Sequence, residues 1–217
     1  MDTNGQEFFY WLGFIYADGC LTICKKTGKK RITVSSSIKD KNHILKFCKF
    51  FNININETNT YLKKTQKWYK GCCGKINTKK VCNFIVDNYG LVQRKSSVNT
   101  PLPNIPQNYI HHFIRGYFDG DGHVGIKPTI SNYKRPNRIY NQLRFAIYNG
   151  TPTIIEDMAV ILRQISGAKL KTHRRQDYNV NYIACVGNNV CTKLYNYLYK
   201  DATVYLERKK KIFETII

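Results

Sequence analysis

Acidic residues are scarce in this sequence: 14 Asp and Glu stand against 35 Lys and Arg, a formal charge of +21. So large an excess is more than a solvated surface. It points to a polyanionic partner, nucleic acid before an anionic membrane. The scarcity is also local. No acid occurs between Asp18 and Asp40, between Glu57 and Asp87, or between Asp121 and Glu156. Those stretches hold Lys26, Lys30, Lys63, Lys67, Lys70, Lys127, Arg135, Arg138 and Arg144 among their bases. A surface cleared of carboxylates suits a phosphate backbone, which like charge would repel.

Other absences exclude other classes. No run is long and apolar enough to cross a bilayer, and the polar opening MDTNGQE does not resemble a secretory leader. The eight cysteines form no CxxC pair and no Cys/His zinc spacing. They fall in apolar periodic stretches and read as small core hydrophobes in a reducing, intracellular compartment (organelle, infected or microbial cytoplasm), not a secreted disulfide framework. Proline is sparse, and three of the six lie in residues 91–107, which show no helical period and read as a linker.

The sequence repeats itself across that linker. WLGFIYADG (11–19) and IRGYFDGDG (114–122) share the frame apolar-x-Gly-apolar-apolar-x-(Ala/Gly)-Asp-Gly. The first motif ends an apolar helical stretch, 6–17. Period-two alternation in 20–26 and 31–38 predicts a hairpin, helical period returns in 39–51, a second hairpin spans 58–74, and 78–89 is a helix closed by Gly90. The same order follows from 108: helix, strands at 122–127 and 142–149 flanking a long basic loop (127–141), helix 151–166, a hairpin around 177–179, helix 188–200 and a last helix over 203–217. An Arg-Lys pair follows each unit, Arg94-Lys95 and Arg208-Lys209. The motifs are offset by 103 residues and the Arg-Lys pairs by 114, so the longer loop of the second unit accounts for the insertion between. The expected organisation is an N-terminal half (1–90), a linker (91–107) and a C-terminal half (108–217), of mixed α/β class, as two αββαββα repeats.

Each motif carries small residues at i and i+4, Gly13/Ala17 and Gly116/Gly120, on one helical stripe. Such stripes let two helices approach until their backbones nearly touch. Both stripes end on an acid, Asp18 or Asp121, so close packing sets two carboxylates together at helix C-termini. Their repulsion there, deepened by the helix dipoles, calls for a divalent cation. Mg²⁺ fits best, because it binds one or two carboxylates and completes its shell with water and phosphate oxygens. A site of this kind can activate water and stabilise the leaving 3′-oxygen of a phosphodiester.

The two motifs resemble the paired signature helices of single-chain LAGLIDADG homing endonucleases, and the resemblance runs over about residues 6–217. It implies an intron-encoded type of enzyme acting as a monomer, with no membrane association. It also implies a saddle whose two four-stranded sheets lie in successive major grooves of a duplex target, about two helical turns or roughly 20 base pairs. Each of two active sites under the minor groove would cut one strand, leaving a four-base 3′ overhang. Mg²⁺ or Mn²⁺ would support cutting, and Ca²⁺ binding alone.

Residue by residue, the resemblance places Asp18 and Asp121 as catalytic metal ligands, with Gly19 and Gly122 beside them in the metal shell. Gly13, Ala17, Gly116 and Gly120 become the helix interface. Asp119 matches a motif position that is not catalytic, where the first unit has Tyr16. Lys95 and Lys209, with Arg94 and Arg208 as alternatives, match the basic residues near each scissile phosphate. Ser37 and Asn149 match solvent-orienting polar positions. DNA contacts are expected from Lys26, Lys30, Lys63, Lys67, Lys70, Lys127, Arg135, Arg138, Arg144, Arg174 and Arg175. Base reading in the first unit falls to Thr22, Cys24, Lys26, Lys30, Ile32, Val34 and Ser36 or to the alternate set, and pattern alone leaves that phase open. An intron maturase of the same fold and a non-catalytic DNA-binding regulator are the alternatives; a pure binder, however, gains nothing from adjacent unpaired carboxylates.

Overall fold

A computed structural model describes residues 3–95, 97–131, 138–176 and 180–217, with only the strand backbone for Ser131 and Arg138. Helix α1 (Gln6–Asp18) leads into strands β1 (Gly19–Ile23) and β2 (Lys30–Ser37). A short 3-10 turn (Ile38–Asp40) precedes α2 (Lys41–Phe51), then β3 (Ile55–Leu62), β4 (Lys67–Ile76) and α3 (Lys79–Tyr89). The second half repeats the order: α4 (Ile110–Asp121), β5 (Gly122–Ser131), β6 (Arg138–Asn149), α5 (Thr153–Ser166), β7 (Lys171–Arg175), β8 (Val180–Val186) and α6 (Asn188–Tyr199). Helix α7 (Glu207–Glu214) follows.

Each half forms one antiparallel four-stranded sheet, ordered β1-β2-β4-β3 and β5-β6-β8-β7. The pairing at the first hairpin of each sheet is equivalent: Gly19 lies opposite Val34, and Gly122 opposite Ile147. Apolar residues at alternate strand positions, such as Leu21, Ile32 and Val34 or Val124, Phe145 and Ile147, face the helices and are buried. The helical face predicted for α2 (Ile44, Phe47, Cys48 and Phe51) is likewise buried. Five cysteines (Cys48, Cys72, Cys73, Cys82 and Cys191) are buried, all but Cys73 in the core cluster, whereas Cys20 and Cys24 are exposed.

Three predicted spans change. The first strand stops at Ile23, because Cys24 and Lys29 close the turn with a backbone bond (Cys24 N–H to Lys29 C=O, 2.9 Å). The basic stretch 127–141 is mostly strand rather than loop, since the β5–β6 ladder runs out to Ser131 and Arg138. Alternation continues through it, but Pro128, Thr129 and the polar 138–142 segment mask the pattern in sequence. The last helix is shorter than 203–217, beginning only at Glu207.

Helices α1 and α4 pack along each other between the two sheets and account for most of the largest buried side chains, including Trp11, Tyr10 and Tyr117. The glycines set how closely they approach. A Cβ built on Gly13 would lie 2.0 Å from the Phe113 carbonyl oxygen, and one on Gly116 would lie 1.9 Å from that of Tyr10. No side chain fits there. Gly120 continues the stripe, its Cβ position 2.4 Å from Ala17 Cβ. These contacts pair like ends with like, so the helices run parallel and their C-termini meet.

A buried polar network crosses this interface. Tyr10 donates to Asp119 Oδ2 (2.7 Å), and His43 Nε2 lies 2.9 Å from the same hydroxyl. With the tyrosine proton committed to the carboxylate, His43 must be the donor to Tyr10 oxygen. Burial holds His43 neutral, its pKa near 3. Arg115, fully buried, donates to the carbonyls of Val204 (3.0 Å) and Leu198 (2.7 Å) and stacks over the Tyr10 ring at 5.1 Å. Asp119 thus belongs to the core that joins the halves.

Candidate active site

Helices α1 and α4 each pass into a strand with no intervening loop, at Asp18-Gly19 and Asp121-Gly122. The turn is sharp: a Cβ on Gly19 would meet Ile15 oxygen at 2.4 Å, and one on Gly122 would meet Phe118 oxygen at 2.3 Å. This steric demand explains both glycines. Their role as metal ligands meets an obstacle at Gly122, whose carbonyl already accepts a bond from Lys209 Nζ at 2.6 Å.

The convergent helix ends bring Asp18 and Asp121 together across Gly120, whose Cβ position is 3.3 Å from Asp18 Oδ2. Asp18 is exposed at the surface, yet protein atoms crowd one side of its carboxylate. Desolvation, then the charge of Asp121, raises its pKa from 3.8 to about 6, against the opposing pull of Lys209, Lys95 and Arg208. Desolvation also raises Asp121, with Lys95 and then Lys209 lowering it. Two partly desolvated carboxylates so placed can hold a cation between them. Among the described residues no cluster of three or more His, Cys, Asp or Glu exists. The donor set fits a hard divalent ion bound by Asp18 and Asp121 and completed by water or phosphate.

The pH response follows in two opposed parts. A cation held by Asp18 would need its carboxylate ionised, so Mg²⁺-dependent protection against thermal unfolding should disappear as pH falls through about 6. Without metal the sign reverses. A carboxyl with a raised folded pKa favours the fold when protonated, so the Asp18 contribution to stability should grow as pH falls from about 6 toward 3.8. Melting curves with and without Mg²⁺ across that window check both.

Lys95 and Lys209 both reach the site. Lys95, in the irregular stretch after α3, donates Nζ–H to the carbonyl of Ala17. Lys209, on α7, donates to the carbonyls of Phe118 (2.6 Å), Asp119 (2.8 Å) and Gly122 (2.6 Å), with Gly120 at 3.4 Å. Each lysine caps the helix of its own half. Burial lowers both pKa values, that of Lys209 to about 8. The Arg-Lys repeat was therefore a register signal with a structural cause.

The arginines beside them differ. Arg94 is exposed, with φ at +54°, and makes no contact with the acids. Arg208 forms a two-pronged ion pair with Asp40 (3.0 and 3.1 Å) that ties α7 to the first half.

Strand register settles which residues face away from the helices. On the first sheet the open face carries Cys20, Thr22, Arg31, Thr33, Ser35, Ser37, Cys73 and Lys75, with Lys67 and Tyr69 toward the β4 tip. This is the alternate set on β2. On the second sheet it carries His123, Lys127, Gln142, Arg144, Tyr148, Tyr182, Lys171, His173 and Arg175. Among the described residues no strand position on either open face is Asp or Glu; Glu57, the one acid in a described strand, points to the helix side and pairs with Lys41 (2.6 Å).

Several candidates move off this face. Lys30 points to the helix side and pairs with Asp87 at 3.4 Å. Lys70 and Arg174 share helix-side positions with Asn59 and Asn181 across their ladders, so neither belongs to the open face, although both are exposed. Asn149 also turns inward, donating to Tyr117 oxygen and accepting from Thr151 N–H (2.9 Å). Its register partner in the first half is Ser36 rather than Ser37, because Val34 matches Ile147; Ser37 instead caps the following turn, accepting from Lys39 N–H at 3.4 Å. Lys26 and Lys63 are exposed in turns. Arg138 opens β6, and Arg135 lies outside the described residues. Pattern could not reveal the buried polar partners Tyr10, His43 and Arg115: Arg115 lies one turn before Asp119 on α4, and only the packing of α1 and α2 against it brings Tyr10 and His43 there.

Two αββαββα halves joined by glycine-packed parallel helices, each ending on an acid, make a fold that solved structures of LAGLIDADG homing endonucleases share. The I-SmaMI LAGLIDADG homing endonuclease bound to cleaved DNA superposes with a TM-score of 0.66 at 15% identity, over 95% of this chain and 86% of that one. The LAGLIDADG meganuclease I-AabMI bound to uncleaved DNA gives 0.65 at 14% identity, over 96% and 89%. I-SmaMI bound to an uncleaved DNA target in the presence of calcium ions gives 0.63 at 15% identity, over 93% and 86%. No protein-family model and no curated protein sequence matches the chain.

Proposed function

We propose that this chain is a site-specific endonuclease that binds duplex DNA as a monomer and hydrolyses one phosphodiester in each strand with Mg²⁺ or Mn²⁺. The observation that carries this is the facing pair Asp18 and Asp121 at the junction of two sheets whose described open-face strand positions hold no acid. The proteins sharing the fold include structures bound to cleaved and to uncleaved DNA, one of them with calcium ions.

Asp18 and Asp121 would hold the divalent ion, which when bound polarises the phosphate and the attacking water. The chain supplies the rest. Arg31, Lys67, Lys75, Lys127, Arg144 and Lys171 set positive charge along the open faces. Among them Thr22, Thr33, Ser35 and Gln142 offer donors and acceptors to base edges.

The test is a metal exchange on a randomised duplex library. Ca²⁺ should retain uncut duplexes, and Mg²⁺ or Mn²⁺ should release cut ends. Cutting that persists in EDTA would point to another chemistry. On a selected target, six to ten phosphate contacts would weaken binding by about 10³–10⁵ between 50 and 200 mM salt. A flat salt response would contradict a phosphate-dominated interface.

A further inference from the structure

Strand β8 passes into helix α6 through a single glycine. Gly187 sits at φ +129°, a backbone region that a side chain would oppose, so the chain reverses there without a loop. The reversal lays the first turn of α6 back over the end of β8. Cys191 N–H bonds Gly187 oxygen (3.1 Å), and the Cys191 side chain meets that of Cys185, the two sulfurs 3.9 Å apart. Register sets Cys185 opposite Phe145, on the helix side of its sheet. Cys185 is half-buried and Cys191 is buried. Among the described residues no other two cysteine sulfurs come into hydrogen-bonding contact.

A disulfide holds its sulfurs at about 2 Å, so an approach of about 2 Å, within reach of side-chain rotation, would join this pair. The surroundings let Cys191 make that move. Its sulfur lies 3.5 Å from Leu143 oxygen, which also accepts Gly187 N–H at 2.9 Å and so stays satisfied without the thiol. The two thiols are also unlike. Turned from Leu143, the Cys191 S–H can bond Cys185 sulfur, which lowers the Cys185 pKa. The same bond, and then burial, raises that of Cys191. Cys185 is therefore the thiol that meets an oxidant, and Cys191 the one that closes the bond.

We propose that Cys185 and Cys191 form a reversible thiol–disulfide site, closed by a peroxide and tying the end of β8 to the first turn of α6. Cys185 gives up its proton, and its sulfur takes one oxygen of hydrogen peroxide: an S–O bond forms, the O–O bond breaks, and the released hydroxide takes that proton to become water. Cys191 sulfur then bonds to Cys185 sulfur, the S–O bond breaks, and the oxygen leaves with the Cys191 proton as a second water. The thiols have lost two electrons, which the peroxide has gained, and a dithiol reverses the change. The corner so locked is the one that holds β6. Asn188 Oδ1 accepts Leu143 N–H (2.8 Å) and its Nδ2 donates to Asn141 oxygen (3.2 Å), beside Gln142 and Arg144 on the open face. The chemistry does not depend on the chain cutting DNA.

The experiment treats the reduced full-length chain with a few equivalents of hydrogen peroxide, alkylates the remaining thiols in denaturant and digests with trypsin. Cleavage after Arg175 and Lys193 leaves both cysteines in one peptide, 176–193. That peptide is expected unalkylated and lighter by two hydrogens after peroxide, and alkylated at both cysteines after dithiothreitol. Closing this short loop should raise Tm by about 5 °C, reversibly. In Cys185→Ser, peroxide should leave Cys191 alkylatable and Tm unmoved. In Cys191→Ser, Cys185 should instead accumulate as the sulfenic acid, captured by dimedone. Should loss of the buried thiol prevent Cys191→Ser from folding, the half-buried Cys185→Ser carries the test. Three results would overturn the proposal: peptide 176–193 fully alkylated after peroxide while Cys20 or Cys24 is oxidised, Cys185 joined to another cysteine, or a Cys185–Cys191 bond that leaves Tm unmoved.

Discussion

Asp18→Asn and Asp121→Asn should each lower double-strand cleavage by about 10³-fold, the scale seen when a group acting on transition-state charge is removed. Each should leave duplex binding intact and raise thermal stability at pH 7. The first two effects follow from placement: the acids meet at the helix ends, while the positive open faces lie along the strands. The third follows from electrostatics. Asp18 titrates at about 6 when folded, above its usual 3.8, so at pH 7 the fold carries a charge it disfavours. The desolvation that raises Asp121 has the same sign. A neutral amide of the same shape removes that penalty, as expected where a site is held against its own stability. Cleavage assays beside melting curves read all three effects. Full cleavage by either variant would rule out the acid pair.

Gly116→Ala is the second large effect, on stability rather than chemistry. In an isolated helix this change would gain about 1 kcal/mol. Here the new methyl would stand 1.9 Å from Tyr10 oxygen and 3.0 Å from Phe14 nitrogen, both backbone atoms that cannot rotate away. The helices must separate, at a cost of about 3 kcal/mol, or a fall in Tm of about 6–12 °C for a chain of this size. Gly13→Ala meets Phe113 oxygen at 2.0 Å and should behave alike. A melting point within a degree of wild type in either variant would contradict the close crossing. Because the crossing also sets the spacing of the two acids, the surviving folded fraction should cut poorly.

The order of elements was legible because each kept its own period: Ile44, Phe47, Cys48 and Phe51 for α2, alternation for β1 and β2. The helix pair was legible because small residues at i and i+4 have few other uses in a helix ending on Asp. Strand phase was not, since Thr22, Ser35 and Ser36 are polar on both faces of their strands, and only pairing with Gly19 and Val34 decides it. The same ambiguity left Lys30 and Arg174, whose strand positions turn to the helix side, among the expected DNA contacts, and set Ser37 one residue out of register with Asn149. Lys209 shows the deepest limit. Its spacing marked it as a site residue, yet nothing in a run of Arg-Lys-Lys-Lys says that one ammonium ends against four carbonyls.

The most direct test is to sequence the ends released from a randomised duplex library by the wild-type protein in Mg²⁺, beside the Asp18→Asn/Asp121→Asn double variant. The account predicts one related set of sites for the wild type, cut once in each strand with a four-nucleotide 3′ overhang, and none for the double variant. Ends that are equally abundant for both proteins, or no enriched site for either, would contradict it.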